Sequence, residues 1–113
     1  MTLEGARRAI TFLGIEDFSG LWEITWESGL HEMPLVDRGR LARRAIEDLL
    51  SEGVVKLYRC QEPGRQLEEI NEGDWDRVLS NSDSWLEPTR DSASIRFGTT
   101  SEGKAAYWAG GKT

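Results

Sequence analysis

Between residues 38 and 52, Ala42, Ala45, Ile46, Leu49 and Leu50 fall at i, i+3, i+4, i+7 and i+8, which is one face of an α-helix. Gly53 follows, a residue suited to the left-handed conformation that ends helices. Then Val54-Val55-Lys56-Leu57-Tyr58-Arg59-Cys60, rich in β-branched and aromatic residues, reads as a strand. An isolated helix of this length is marginal in water. Its apolar face must therefore be buried by the rest of the chain, and a helix turning directly into a strand fixes where that burial begins. Asp37 stands where a capping side chain is expected.

The remaining elements follow from the same periodicities. Leu3, Ala6, Ile10 and Leu13 predict a first helix over residues 3–14, with Gly14 as its stop. Residues 18–28 carry two conflicting patterns. Phe18, Leu21, Trp22 and Thr25 fit a helix face, whereas Trp22, Ile24 and Trp26 alternate with polar residues as in a strand. Asp17 or Ser19 as cap and Ser28-Gly29 as stop favour the helix. Residues 94–99 predict a second strand, with Ile95 and Phe97 on one side. Thr100 or Ser101 can cap a final helix running through Trp108. A short helix near residues 74–81, capped by Asp74, would turn Trp75, Val78 and Leu79 toward the core.

The chain's 113 residues suit one domain, 1–113. The predicted class is α+β: three N-terminal helices, a two-stranded antiparallel hairpin interrupted by a long insertion at 61–93, and a C-terminal helix. No apolar run approaches the roughly 18 residues of a membrane span. No signal peptide is visible, and the single cysteine, Cys60, has no partner for an internal disulfide. These features lead to an expectation of a cytoplasmic protein that makes no use of the membrane.

Charge is distributed unevenly. Residues 61–91 hold nine acids, namely Glu62, Glu68, Glu69, Glu72, Asp74, Asp76, Asp83, Glu87 and Asp91, against Arg65, Arg77 and Arg90. The net charge of the whole chain, −6, therefore resides in this segment, and the remainder is balanced. Pro63, Gly64, Gly73 and Pro88 interrupt it, so it reads as an acidic, partly irregular insertion.

The junction Ser51-Glu52-Gly53-Val54-Val55-Lys56-Leu57-Tyr58 resembles the helix-to-strand passage of winged-helix domains. Thr99-Thr100-Ser101-Glu102-Gly103-Lys104-Ala105-Ala106-Tyr107 is similar to the start of the helix after their wing. With the elements around these junctions, the resemblance extends over about 50 of the 113 residues, in two blocks. The chain also resembles small uncharacterised actinobacterial proteins of this general shape, which implies no activity. The winged-helix resemblance implies a recognition helix over residues 38–52 that enters the major groove, and a wing that touches the DNA backbone. Two departures stand out. Residues 29–36 are too short and irregular for an ordinary preceding helix, and the acidic insertion occupies the wing.

Two functional expectations follow. The first is a non-enzymatic module that binds a basic protein partner, in the manner of an immunity protein or a modulator. Its contacts would be Glu68, Glu69, Glu72, Asp74 and Asp76, with Trp75 and Trp85 as aromatic anchors. The second is a DNA-binding regulator that uses Arg38, Arg40, Arg43 and Arg44. Arg43 and Arg44 stand four residues before Glu47 and Asp48, a spacing that pairs and neutralises such charges. A homodimer is compatible with either reading.

No catalytic residue, metal ligand set or cofactor is expected. His31 is the only histidine, and Pro34 would break a zinc-binding helix there. Asp74-Trp75-Asp76 begins like a calcium loop, but Leu79 takes the glycine position. Gly111-Lys112-Thr113 echoes a phosphate loop without its first glycine or its following helix.

Overall fold

A computed structural model describes residues 1–61, 66–89 and 93–110. Gly111, Lys112 and Thr113 lie outside the described residues, as do Glu62, Arg65, Arg90 and Asp91 of the acidic segment. Helices α1 (Leu3–Glu16), α2 (Leu21–Ile24), α3 (Ser28–His31) and α4 (Leu35–Ser51) precede strand β2 (Val55–Gln61), with the short strand β1 (Ser19–Gly20) between α1 and α2. Then come β3 (Gln66–Glu69), a 3₁₀ turn at Glu72–Asp74, α5 (Trp75–Ser80), a second 3₁₀ turn at Ser82–Trp85, β4 (Ala93–Thr99) and α6 (Ser101–Gly110).

The class is α+β, built on an antiparallel sheet of order β1-β4-β2-β3. The expected pair of strands is present: β2 and β4 run antiparallel from Val55↔Thr99 to Gln61↔Ala93. The sheet is nevertheless four-stranded among the described residues, which corrects the two-stranded expectation. Ser19 and Gly20 add one edge against Phe97 and Arg96. Residues 66–69, inside the segment read as irregular, add the other edge, with Tyr58↔Glu69 and Arg59↔Glu68 in register. Glu and Gln have low strand propensity, so pairing with β2 outweighed local preference here.

The core lies between the sheet and helices α1 and α4. Ile10, Ile46, Leu57 and Phe97 are fully buried in it, together with Leu21, Ile24 and Leu30 from the short helices. The predicted face of α4 is inside as expected: Ala42, Ala45, Ile46, Leu49 and Leu50 are all buried. Gly53 ends the helix at φ +74°, where a side chain would be strained.

Several local expectations change. Residues 18–28 do not form one helix. The Glu23 carboxylate accepts the Gly20 N–H at 2.6 Å, so the helix starts at Leu21 rather than at an Asp17 or Ser19 cap, and the preceding residues join the sheet. Both patterns in that stretch are used. Leu21 and Ile24 go to the core, while Phe18 meets Tyr58 edge-on and Trp22 lies over the Arg96 guanidinium on the outer face of the sheet. Residues 29–36 do admit a helical turn, Ser28–His31, so four helical segments rather than three precede β2. Pro34 is the residue at the start of α4, and Asp37 lies in its first turn instead of capping it. Asp74 makes no capping bond, because its carboxylate accepts from Arg77 at 2.7 Å.

Thr100 holds α6 in place. Its hydroxyl donates to the Gly53 carbonyl at 2.7 Å and accepts the Gly103 N–H at 3.0 Å. Gly14, read as a stop, sits inside α1 and serves close packing instead. A Cβ there would come within 2.5 Å of Thr99 Oγ1 and 2.8 Å of the Thr99 backbone nitrogen. The Thr99 hydroxyl also donates to the Thr11 carbonyl at 2.8 Å, which locks α1 to β4 at this point. Gly14→Ala is therefore expected to destabilise the fold by about 1–3 kcal/mol through overpacking, even though alanine favours helix. Urea unfolding of the two proteins, compared at equal m-value, measures this.

Candidate functional site

The four arginines singled out on α4 have different environments. Arg38 turns back along the chain and donates to the carbonyls of His31 at 2.8 Å and Met33 at 3.0 Å, tying down the turn that precedes the helix. Arg43 is held by Glu47, its partner one turn on, and by Asp76 of α5 at 2.8 Å. Its pKa is raised, chiefly by the hydrogen bond to Glu47, so it remains a paired cation. Arg40 and Arg44 are exposed neighbours at i, i+4, with no ion pair among the described residues. The expected pair of Arg44 with Asp48 is not formed. Asp48 faces Arg7 of α1 instead, at 3.6 Å.

Of the acidic residues, Asp76 and Glu72 lie beside the same helix. Glu68 and Glu69 are exposed on the edge strand β3, and Glu69 lies 3.5 Å from Lys56. Glu72 and Asp76 are exposed around α5, whereas Asp74 is half-buried and paired with the exposed Arg77. Trp75 and Trp85 are half-buried against the core. Each indole N–H is satisfied inside the chain, by the carbonyls of Ile70 at 3.1 Å and Leu79 at 3.0 Å. The tryptophans thus fasten the acidic segment to the core, and only part of each ring remains available to a partner. Where α5 meets α4, Leu50, Leu79 and Trp75 floor a cleft of about 230 Å³ rimmed by Glu47, Glu72 and Asp76.

Sequence reasoning missed a second concavity. Thr25, Leu35, Gly39, Leu79 and Trp85 line a groove of about 370 Å³, with Arg38 and Arg43 at its side. The signal lay in exposed apolar residues that no predicted pattern used, namely Leu35, Val36 and Leu86. His31 stacks on Trp26 with centroids 5.6 Å apart, and Cys60 is buried. Among the described residues, no three His, Cys, Asp or Glu side chains converge where they could hold a metal ion. Also among them, no helix is long and apolar enough to cross a membrane.

Comparison with known proteins gives no relative: no family model, no curated protein and no solved structure matches the chain. The site is therefore defined by its own geometry: the amphipathic helix α4 with Asp76 and Glu72 of the acidic segment beside it.

One ion pair sets a pH dependence. Arg7 of α1 donates to both oxygens of Glu52 at 2.7 Å, joining α1 to the end of α4. The Arg7 hydrogen bond holds the Glu52 carboxyl below its ordinary range, against a smaller opposing effect of burial. A depressed folded-state pKa adds stability above the unfolded-state value of about 4.3, and that stability is lost as pH falls through the folded value. Arg7→Met should return the Glu52 midpoint to the ordinary glutamate range. It should also flatten the stability profile below about pH 4.3. Carboxyl NMR titration and acid-dependent urea unfolding read the two effects. Solvent screening keeps the pair's contribution to about 1 kcal/mol or less.

Proposed function

We propose that this chain is a non-enzymatic interaction module, built on a winged-helix-like scaffold and working in the cytoplasm. It binds a basic protein partner through the acidic surface of residues 61–91. The carrying observation is the Arg43–Asp76 bridge at 2.8 Å, which holds one carboxylate of the acidic segment against α4. Glu68, Glu69, Glu72 and Asp76 are exposed near one another in sequence, and the cleft beside Trp75 offers an apolar floor within a negative rim. A lysine or arginine suits such a cleft, because its aliphatic stem covers apolar surface while its charge meets carboxylates. The segment's negative field would steer a basic partner and speed its encounter. An immunity protein and a modulator of a nucleic-acid enzyme both fit this description.

A second reading, a DNA-binding regulator, is favoured by one observation: Arg40 and Arg44 are open to solvent. The scaffold is consistent with it. Helix α4 passes through the Gly53 turn into β2, β2 pairs with β4, and β4 leads into α6 at the Thr100 cap. Magnitude ranks it second. Two phosphate contacts give a salt slope of only about −1.8. Arg38 and Arg43 are already engaged, and the neighbouring carboxylates oppose the approach of a phosphate backbone.

Fluorescence anisotropy of two probes, measured across salt, separates these readings. The probes are a random DNA duplex and a short peptide of lysine and leucine. The interaction reading expects the peptide to bind and the duplex not to bind at ordinary salt. It also expects Glu68→Lys, Glu69→Lys and Glu72→Lys together to weaken the peptide by about tenfold or more. Duplex binding with a slope near −1.8, lost in Arg40→Ala with Arg44→Ala, would reverse the ranking.

A further inference from the structure

Leu50, Leu79 and Trp75 floor the cleft where α5 meets α4, and Glu47, Glu72 and Asp76 rim it. Its volume of about 230 Å³ suits one long side chain and not a helix, which is roughly 10 Å across with its side chains. The negative charge of the rim survives a full count of its neighbours. Arg43 pairs with Glu47 and Asp76. Arg77, next to Asp76, is taken up by Asp74 at 2.7 Å. Among the described residues Arg44 forms no ion pair with the rim, and Glu72 forms no ion pair at all. Three carboxylates therefore face one guanidinium, and the surplus is negative.

Arg43 also shows which cation these carboxylates accept. Its Nε donates to Glu47 Oε1 and its Nη2 donates to Asp76 Oδ1 at 2.8 Å. Two N–H groups of one planar fork thus span carboxylates on two different helices, a geometry that the compact ammonium of lysine does not match. Arg43 lines the neighbouring groove and not the cleft, so it reaches the rim from the side and leaves the cleft open. It engages one oxygen of each carboxylate, and an ionised carboxylate accepts through both. The Trp75 indole N–H is already donated to the Ile70 carbonyl, so its ring serves the cleft as an apolar and aromatic surface.

Building on the interaction-module reading, we propose that this cleft is an arginine-selective anchor for the partner, in which Arg43 acts as a built-in competitor. The partner's guanidinium lies against Trp75 and meets Glu72 and the remaining oxygens of Glu47 and Asp76. Arg43 carries the same charge and holds two of the same carboxylates, so it weakens the capture and keeps it reversible. Lysine fills the cleft with its stem but forms no fork across the rim, and it binds less tightly.

The test is a titration of the full chain with two short peptides, one of arginine and leucine and one of lysine and leucine, followed by anisotropy and by NMR of the Trp75 indole and the Arg43 Nε–H. The arginine peptide is expected to bind about threefold or more tightly than the lysine peptide and to shift both signals. Arg43→Met should tighten the arginine peptide by about threefold or more, whereas Arg43→Lys, which keeps the charge, should not. Glu72→Gln, a change at an exposed and unpaired carboxylate, should weaken it by a similar factor. Equal affinity for the two peptides, an unmoved Trp75 indole, or unchanged or weaker binding in Arg43→Met overturns the proposal while leaving the module reading in place. Equal tightening by Arg43→Lys also overturns it, because the effect then belongs to a loosened α5. Binding of neither peptide removes both readings together.

Discussion

The antiparallel pairing of β2 with β4 is the constraint on which the rest of the structure depends. It places Leu57 beside Phe97 at the centre of the sheet and gives α1 and α4 a surface to cover. It also brings Val54 beside Thr100, whose hydrogen bonds to the Gly53–Val54 corner set the direction of α6. The long acidic excursion leaves β2 at Gln61 and returns at Ala93, two residues that are themselves a register pair. An excursion that starts and ends on paired residues leaves the sheet register unchanged, and this allows so much charge to be carried on so small a core.

That excursion is more than a solvated loop. β3 extends the sheet, while Ile70, Val78 and Leu79 are buried, so the segment helps to build the core that supports it. Its charges then do two things locally. Some are consumed in holding the fold, as with Asp76 on Arg43 and Asp74 on Arg77. Others, including Glu68 and Glu72, remain exposed. A similar division runs through the arginines of α4, in which Arg38 and Arg43 hold structure and Arg40 and Arg44 face water.

Elements with one strong period were legible in the sequence. Helix α4, its glycine stop, the strand after it and the helix at Trp75 all follow from apolar spacing, because burial of one face dominates their energetics. What failed depended on partners that no single periodicity reveals. β3 carries Gln and Glu and becomes a strand only because β2 offers an open edge. Gly14 has the look of a terminator, yet the demand on it comes from Thr99. At the candidate site, residue identities were legible but their engagement was not. Spacing pairs Arg43 with Glu47 correctly, yet it cannot show that Asp76 also reaches Arg43 or that Arg7 draws Asp48 away from Arg44. The apolar groove escaped notice because its lining comes from three separate stretches of chain.

The sheet order also fixes a temporal asymmetry. β4 lies between β1 and β2 in space but is the last strand to be synthesised. A chain emerging from the ribosome can form the local β2–β3 hairpin early. Its two remaining strand neighbours must wait, because the strand that joins them does not yet exist. Closure of the distant ends requires an entropic loss before any packing reward, and the edge of β2 that faces β4 has no native partner until β4 is made.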